Sequence, residues 1–254
     1  MANLFDLTGK VATVVGGGGM IGRAIASGLA EHGADVVVAD YRLDHAEEVA
    51  DKICPPGKKT LAVHVDITKE QSVADMVTAI LKVFPHLDIL VNCAGVIIRK
   101  PADTFPMSDW ERIMDVNNRG TFLCCQAVGR VMIKQGGGKI INISSIRATR
   151  ALADNYVVYS ASKGAVDALT RILAFEWAKY HVLVNAIAPN IVETEITREV
   201  FSDPEFVKLV KSRIPLGHWG VPEDFAGPTV FLASKASDFV TGQILHVDGG
   251  ETTW

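Results

Sequence analysis

The chain has 254 residues, 48% of them apolar and 21% charged, with a formal net charge of −4. That length buries roughly three-quarters of its unfolded surface and suits one large α/β domain spanning residues 1–254; the mild acidity excludes the clustered basic face of a nucleic-acid binder. No apolar run approaches the ~20 residues of a membrane span, and "MANLFDLTGK" lacks the basic-then-apolar layout of a signal peptide, so a cytoplasmic protein with no nucleic-acid or membrane partner is expected.

The first expected strand is Val11–Val15, which meets four glycines, Gly16 to Gly19, then Met20, Ile21, Gly22 and a helical pattern. Asp35–Ala39 is the second strand and leads into Asp40 and Tyr41. "PPG" at 55–57 ends the helix that follows, and Thr60–Val65 is the third strand, before Asp66 and Ile67. In "TKEQSVADMVTAILKVF", Val73, Met76, Val77, Ile80, Leu81 and Phe84 follow the i, i+3, i+4 stripe of an amphipathic helix. Ile89–Val91 runs into "NCAG" at 92–95. A long helical stretch over 107–134 carries "DVNNRG" and gives way at Gly136–Gly138 to the strand Lys139–Ile143, which ends in "INISS". A second helical stretch, 155–179, opens on "YSASK" and precedes the strand Leu183–Ile187, within "VNAIAPN". The last strand, Ile244–Val247, ends in "VDGG".

Near-continuous apolar strands alternating with helices predict a parallel sheet covered on both faces. The expected class is therefore α/β: a single Rossmann-type, doubly wound domain with a seven-stranded parallel sheet.

The glycine run admits two spacings. Gly17-Gly18-Gly19-Met20-Ile21-Gly22 satisfies G-x-G-x-x-G, whereas Gly16-x-x-x-Met20-x-Gly22 matches G-x-x-x-G-x-G with its middle glycine replaced. Both set a helix N-terminus against an anion, as a dinucleotide pyrophosphate requires. Asp40, 18 residues after Gly22, can accept both hydroxyls of an adenosine ribose and repel a 2′-phosphate, which favours NAD over NADP. Tyr159 and Lys163 share one helical face at i, i+4, where an ammonium favours the phenolate and tunes the phenol for proton exchange near neutral pH. Cys54, Cys93, Cys124 and Cys125 contain no C-x-x-C pair and no zinc-ligand spacing, as in a reducing compartment, and no metal is expected.

Together, "INISS", "NCAG", "DVNNRG", "YSASK", "VNAIAPN" and "VDGG" resemble the short-chain dehydrogenase/reductase family along essentially the whole chain. The resemblance selects the second glycine spacing and implies a tetrad of Asn117, Ser145, Tyr159 and Lys163. Tyr159 is then the acid/base, Ser145 holds the substrate oxygen, Lys163 holds the nicotinamide ribose, and Asn117 anchors a water leading to Lys163. It also implies cofactor contacts at Gly16, Gly19, Met20, Ile21, Gly22, Asp40, Tyr41, Asp66, Ile67, Asn92, Ala94, Gly95, Tyr159, Lys163, Pro189, Val192 and Thr194.

Four positions depart from the pattern: Val15, Met20, Cys93 and Asn190 replace the usual Thr, Gly, Asn and Gly. Met20 opens a helix, where a Cβ is permitted, and Asn190 tolerates left-handed backbone. Two choices stay open on the residues alone: Ser144 against Ser145, and Tyr156, seven residues before Lys163, the spacing of enoyl reductases in the same superfamily.

Within the family, "EWAKYHVLVNAIAPN", "GVIIRKP" and the stretch from "RIPLGHW" to "VDGG" resemble gluconate 5-dehydrogenases and 2-dehydro-3-deoxy-gluconate 5-dehydrogenases. The implied reaction interconverts a secondary alcohol and a ketone on a sugar acid or related polyol. The alternatives are reduction of another carbonyl, such as a 3-oxoacyl thioester or cyclic ketone, and a catalytically silent nucleotide sensor. Ser145, Arg147, Tyr159 and Asn190 are the expected substrate contacts; Arg147 is either a fork for an anionic tail or a solvated surface group. By the same resemblance residues 188–220 form a substrate lid; His218 and Trp219 either line the pocket or pack in a turn. The stretches 107–134 and 155–179, with Trp254, then pack neighbouring subunits of a homotetramer.

Overall fold

In the computed structural model seven parallel strands form one sheet in the order β3-β2-β1-β4-β5-β6-β7. The structure describes residues 3–54, 57–151, 155–193 and 203–253. Strand β1 (Val11–Val15) leads to helix α1 (Met20–Glu31), β2 (Asp35–Asp40) to α2 (Leu43–Lys52), and β3 (Thr60–His64) to α3 (Glu70–Val83). After β4 (Ile89–Asn92) come α4 (Met107–Met114), a π-helical turn (Asp115–Gly120) and α5 (Thr121–Gln135). Then follow β5 (Gly138–Ile143), α6 (Val157–Trp177), β6 (Val182–Pro189), α7 (Pro204–Arg213), α8 (Ala226–Ala233) and β7 (Ile244–Val247).

Strand alternation divides the core into two layers. Ala12 and Val14 of β1 face one side with Val36, Val38, Ile141 and Ile187, under α1, α2 and α8. Val11 and Val15 face the other with Val37, Ala39, Leu90 and Ile140, under α3, α5 and α6. Both faces are covered, which is why the strands read as unbroken apolar runs.

Chain order reverses between β1 and β4, the neighbours that divide the sheet into two halves. A crevice opens there at the carboxyl ends of the strands. The stretch 107–134 differs from its expected form: it is helical throughout, but six residues take π geometry. No described helix is long and apolar enough to cross a membrane. Of the expected lid, residues 194–202 lie outside the described residues, as do Pro55, Pro56 and Trp254. The ends of that segment are tied together, with Gly220 N donating to Ile191 O at 3.2 Å and Glu193 N to Gly220 O at 3.1 Å.

Candidate active site

At the end of β1 the backbone must turn sharply to let α1 start against the crevice. Gly16 has φ +78°, and a Cβ there would lie 2.5 Å from Ala94 N; a Cβ on Gly22 would lie 2.2 Å from Gly16 O. Both contacts are with backbone, so no rotamer change relieves them. A Cβ on Gly19 would lie 3.5 Å from its nearest neighbour, Gly16 O. Gly17 and Gly18 are also tight, with Val14 O at 2.9 Å and His45 Cβ at 2.8 Å, so what separates the spacings is that both ends of Gly16-x-x-x-Met20-x-Gly22 are closed to a Cβ by backbone while Gly19, the middle glycine of the other spacing, has room. Gly19 caps α1 in extended geometry, and Met20 is the first helical residue.

From this turn a cavity of about 510 Å³ runs past Gly19, Met20, Ile21 and Gly22 to Ser145, Arg147, Tyr159 and Lys163. Pro189, Asn190 and Val192 close it on the β6 side. Helix α6 supplies Tyr159 and Lys163 one turn apart, and β5 ends at the two serines. Strand alternation separates these serines: Ser144 Oγ donates to Asp167 Oδ1 at 2.5 Å, whereas Ser145 hydrogen-bonds Tyr159.

Lys163 is buried and its Nζ donates to Ile143 O at 2.7 Å, 5.8 Å from the Tyr159 ring centre. Asn117 reaches the same place through the π turn. Its Oδ1 accepts from Val96 N at 2.8 Å, and its Nδ2 donates to Val96 O at 2.9 Å and to Ser162 Oγ at 3.1 Å. A Cβ on Gly95 would stand 3.4 Å from Asn117 Oδ1 and 3.6 Å from Lys163 Nζ. Gly95 thus lies beside both groups: Ser145, Tyr159 and Lys163 line one end of the cavity, and Asn117 stands behind them without lining it.

Burial dominates the electrostatics. It pushes the Tyr159 phenol up to about 12, against the opposing pull of the Ser145 hydrogen bond, and the Lys163 amine down to about 8. The sequence-based expectation of a lowered Tyr159 is therefore reversed, because desolvation outweighs the nearby charges. Cys93 lines the cavity with its thiol likewise raised to about 12 by burial, so it is not a nucleophile.

The other expected cofactor contacts are placed unevenly. Asp40 Oδ2 accepts from Gly18 N at 2.9 Å and Oδ1 from Arg42 N at 3.0 Å, which fixes the carboxylate beside the glycine turn. Tyr41 is exposed, its ring 5.8 Å from that of His64. Asp66 is held by Thr68, whose N and Oγ1 donate to it at 3.0 and 2.6 Å. Ile67 is buried against Gly120 of the π turn.

The Asn92 side chain takes no part in the cavity. As the last residue of β4 it points inward, donating to Asn142 Oδ1 at 2.9 Å and Cys125 Sγ at 3.2 Å. Cys93 and Gly95 line the cavity; Asn92 and Ala94 do not. Thr194 lies outside the described residues.

At the substrate end Arg147 is not a solvated surface group: its side chain is 12% exposed and pairs with Glu251 at 3.5 Å. The Tyr156 ring has Arg99 at 5.3 Å and Arg147 at 5.9 Å. Lys100 is paired with Asp109 at 2.5 Å, and His218 and Trp219 do not line the cavity. Asn190 does line it, donating through Nδ2 to Asp248 O at 3.3 Å, while its buried Oδ1 has no partner among the described residues. Sequence reasoning missed Glu251 and Asp167. Both are charges buried by partners distant in sequence, and neither carries a local signature.

A family model described as enoyl-(acyl carrier protein) reductase matches residues 18–252. The NAD-dependent glycerol dehydrogenase of Listeria innocua is 42% identical over 248 residues, 98% of this chain and 96% of that protein. The 2-dehydro-3-deoxy-D-gluconate 5-dehydrogenase of Dickeya dadantii is 41% identical over 249 residues, 98% and 97% of the two chains. The crystal structure of a gluconate 5-dehydrogenase from Burkholderia cenocepacia in complex with NADP and tartrate superposes with a TM-score of 0.94. It is 39% identical, with 99% of this chain and 98% of that one covered.

Proposed function

Because the chain belongs to the short-chain dehydrogenase/reductase family, we propose that Tyr159 is the proton-exchanging group of its reaction. The chain is an oxidoreductase that interconverts a secondary alcohol and a ketone on sugar acids or related polyols. The observation that carries the assignment is the convergence of Ser145, Tyr159 and Lys163 in one cavity that begins at the N-terminus of α1.

The cavity fits a nicotinamide dinucleotide. Without a Cβ, Gly16 packs tight against Ala94 and Gly22 against Gly16 and Gly17, and the N-terminus of α1, at Gly19 and Met20, lines the cavity. Asp40 would take the adenosine ribose, and Lys163, Pro189 and Val192 the nicotinamide end. When bound, the cofactor gives or accepts the hydride at the substrate carbon.

The rest falls to the chain's own groups. Tyr159 gives its hydroxyl proton to the ketone oxygen in reduction and recovers it in oxidation. Ser145 hydrogen-bonds the same oxygen, stabilising charge that develops on it. Protonated Lys163 favours the phenolate left on Tyr159, and Asn117 holds the loop at Val96 so that proton exchange can continue toward Lys163.

NAD(H) is the favoured cofactor. The Asp40 carboxylate repels a 2′-phosphate, and Arg42, the nearest cation in sequence, is engaged with His45. Free cysteines support a reducing, cytoplasmic setting. Exposed Trp110, Phe122, Ile172 and Phe175 on α4, α5 and α6 support assembly, as a homotetramer, through that face. Residues 188–220 would act as the lid of a single domain.

The test is initial-rate formation of NADH or NADPH from aldonates, deoxy-sugar acids, neutral sugars and polyols, with Tyr159→Phe alongside. Turnover by wild type that the substitution abolishes supports the assignment; retained turnover in Tyr159→Phe removes it.

A further inference from the structure

Glu251 is a carboxylate buried to 2% exposure in the short C-terminal turn Glu251–Thr253. Burying a carboxylate in this way is costly unless cations face it. Arg147 Nη1 lies 3.5 Å and Arg150 Nε 4.0 Å from the same oxygen, Oε1.

The turn that delivers Glu251 is braced independently of these pairs. Asp248 accepts from Gly250 N at 2.9 Å, Thr252 N at 2.9 Å and Thr252 Oγ1 at 2.7 Å. Asn190, a cavity residue, donates to Asp248 O at 3.3 Å. The C-terminal turn is therefore bonded to the wall of the site, and the carboxylate reaches Arg147 from behind the cavity.

Arg147 lines the cavity together with Ser145 and Tyr159, and its backbone N donates to Ser145 Oγ at 3.2 Å. Its guanidinium thus faces two anions of different origin: Glu251 from within the chain and any carboxylate carried by the substrate. The two compete for one fork of donors and repel each other at short range.

Resting on the reading of this cavity as a sugar-acid or polyol site, we propose that Glu251 is a specificity-determining positioning residue. It holds Arg147 against the cavity wall and offsets part of its charge, so that neutral polyols compete with anionic aldonates for the site. Without the Glu251 charge, the Arg147 fork meets an anionic substrate undivided.

The experiment is calorimetric binding of D-gluconate and of the neutral polyol D-glucitol to the NADH-loaded enzyme, for wild type and Glu251→Gln. Glutamine keeps the size and removes the charge. The expected result is a gluconate Kd about tenfold lower relative to that of glucitol in the variant, the scale of one partly screened charge. The Arg147→Gln, Glu251→Gln double variant should lose that gain. Glu251→Asp, which withdraws the carboxylate, should shift the ratio the same way by less, and it serves if Glu251→Gln does not fold.

Equal changes for both ligands, weaker gluconate binding, or no gluconate binding by either protein would overturn the proposal. Failure of the underlying reading looks different: gluconate binds with the expected shift, yet no sugar acid or polyol is turned over with NAD or NADP.

Discussion

Ser144 donates its hydroxyl to Asp167 at 2.5 Å, whereas Ser145, one residue on, hydrogen-bonds Tyr159. Adjacent residues of identical chemistry thus serve the core and the site. Asp167 is 3% exposed, so Ser144→Ala strands a buried carboxylate partner, at a cost of about 1–3 kcal/mol. Its melting temperature should fall by roughly several degrees while kcat stays within a few-fold. Ser145→Ala should do the reverse, lowering kcat/KM about 100-fold with little change in melting. A loss of activity confined to Ser144→Ala would exchange the two assignments.

The glycine turn separates residues that must lack a Cβ from residues that happen to. Gly22→Ala places a methyl 2.2 Å from Gly16 O, a backbone atom that cannot step aside. NADH affinity, read by fluorescence titration, should fall at least about tenfold and the melting temperature with it. Gly19→Ala, with 3.5 Å of room and φ −75°, should leave both within about twofold. Equal losses from both substitutions would mean that the other spacing, through Gly17 and Gly19, forms the cradle.

The fold was legible because the inner strands are largely buried and even the partly exposed edge strands β3 and β7 keep apolar runs: all seven strands lie within two residues of the runs that marked them. The π turn at Asp115–Gly120 left no trace, since a single wider turn barely disturbs helical periodicity. The tetrad could be named from its motifs, but its electrostatics could not. The i, i+4 spacing of Tyr159 and Lys163 shows a cation beside a phenol and hides the burial that moves the two pKa values away from that simple picture. The direction of the Asn92 side chain was hidden for a related reason: motif matching says nothing of it, whereas strand alternation turns it to Asn142. Glu251 lies 104 residues from Arg147 in sequence, and no pattern announces such a pair.

On the proposed reading, cofactor preference rests on Asp40, whose two carboxylate oxygens already accept from Gly18 N and Arg42 N. Asp40→Ala removes the charge that repels a 2′-phosphate and leaves Arg23 and Arg42, which line a hollow with Gly18 and Gly19 next to the turn. The ratio of kcat/KM for NADP to that for NAD should rise at least about tenfold. Asp40→Asn, which keeps an acceptor and loses the charge, should move the ratio in the same direction. An unchanged ratio in both variants would place the choice of cofactor elsewhere.

The pH dependence follows from the signs at Tyr159 and Lys163. With the phenol raised to about 12 by burial, Tyr159 carries its proton throughout pH 6–8, as ketone reduction requires. Alcohol oxidation must first remove that proton, so log kcat/KM for oxidation should climb by about one per pH unit across this range. Lys163, lowered to about 8, is charged below that pH and neutral above it. Its charge favours the phenolate, so the climb should flatten above about 8, and reduction, level at lower pH, should begin to fall there. Lys163→Met removes the cation at every pH: the inflection near 8 should disappear and both directions should slow by about two orders of magnitude. An oxidation profile already flat between pH 6 and 8 would mean that Tyr159 is ionised in the free enzyme, against the burial that surrounds it.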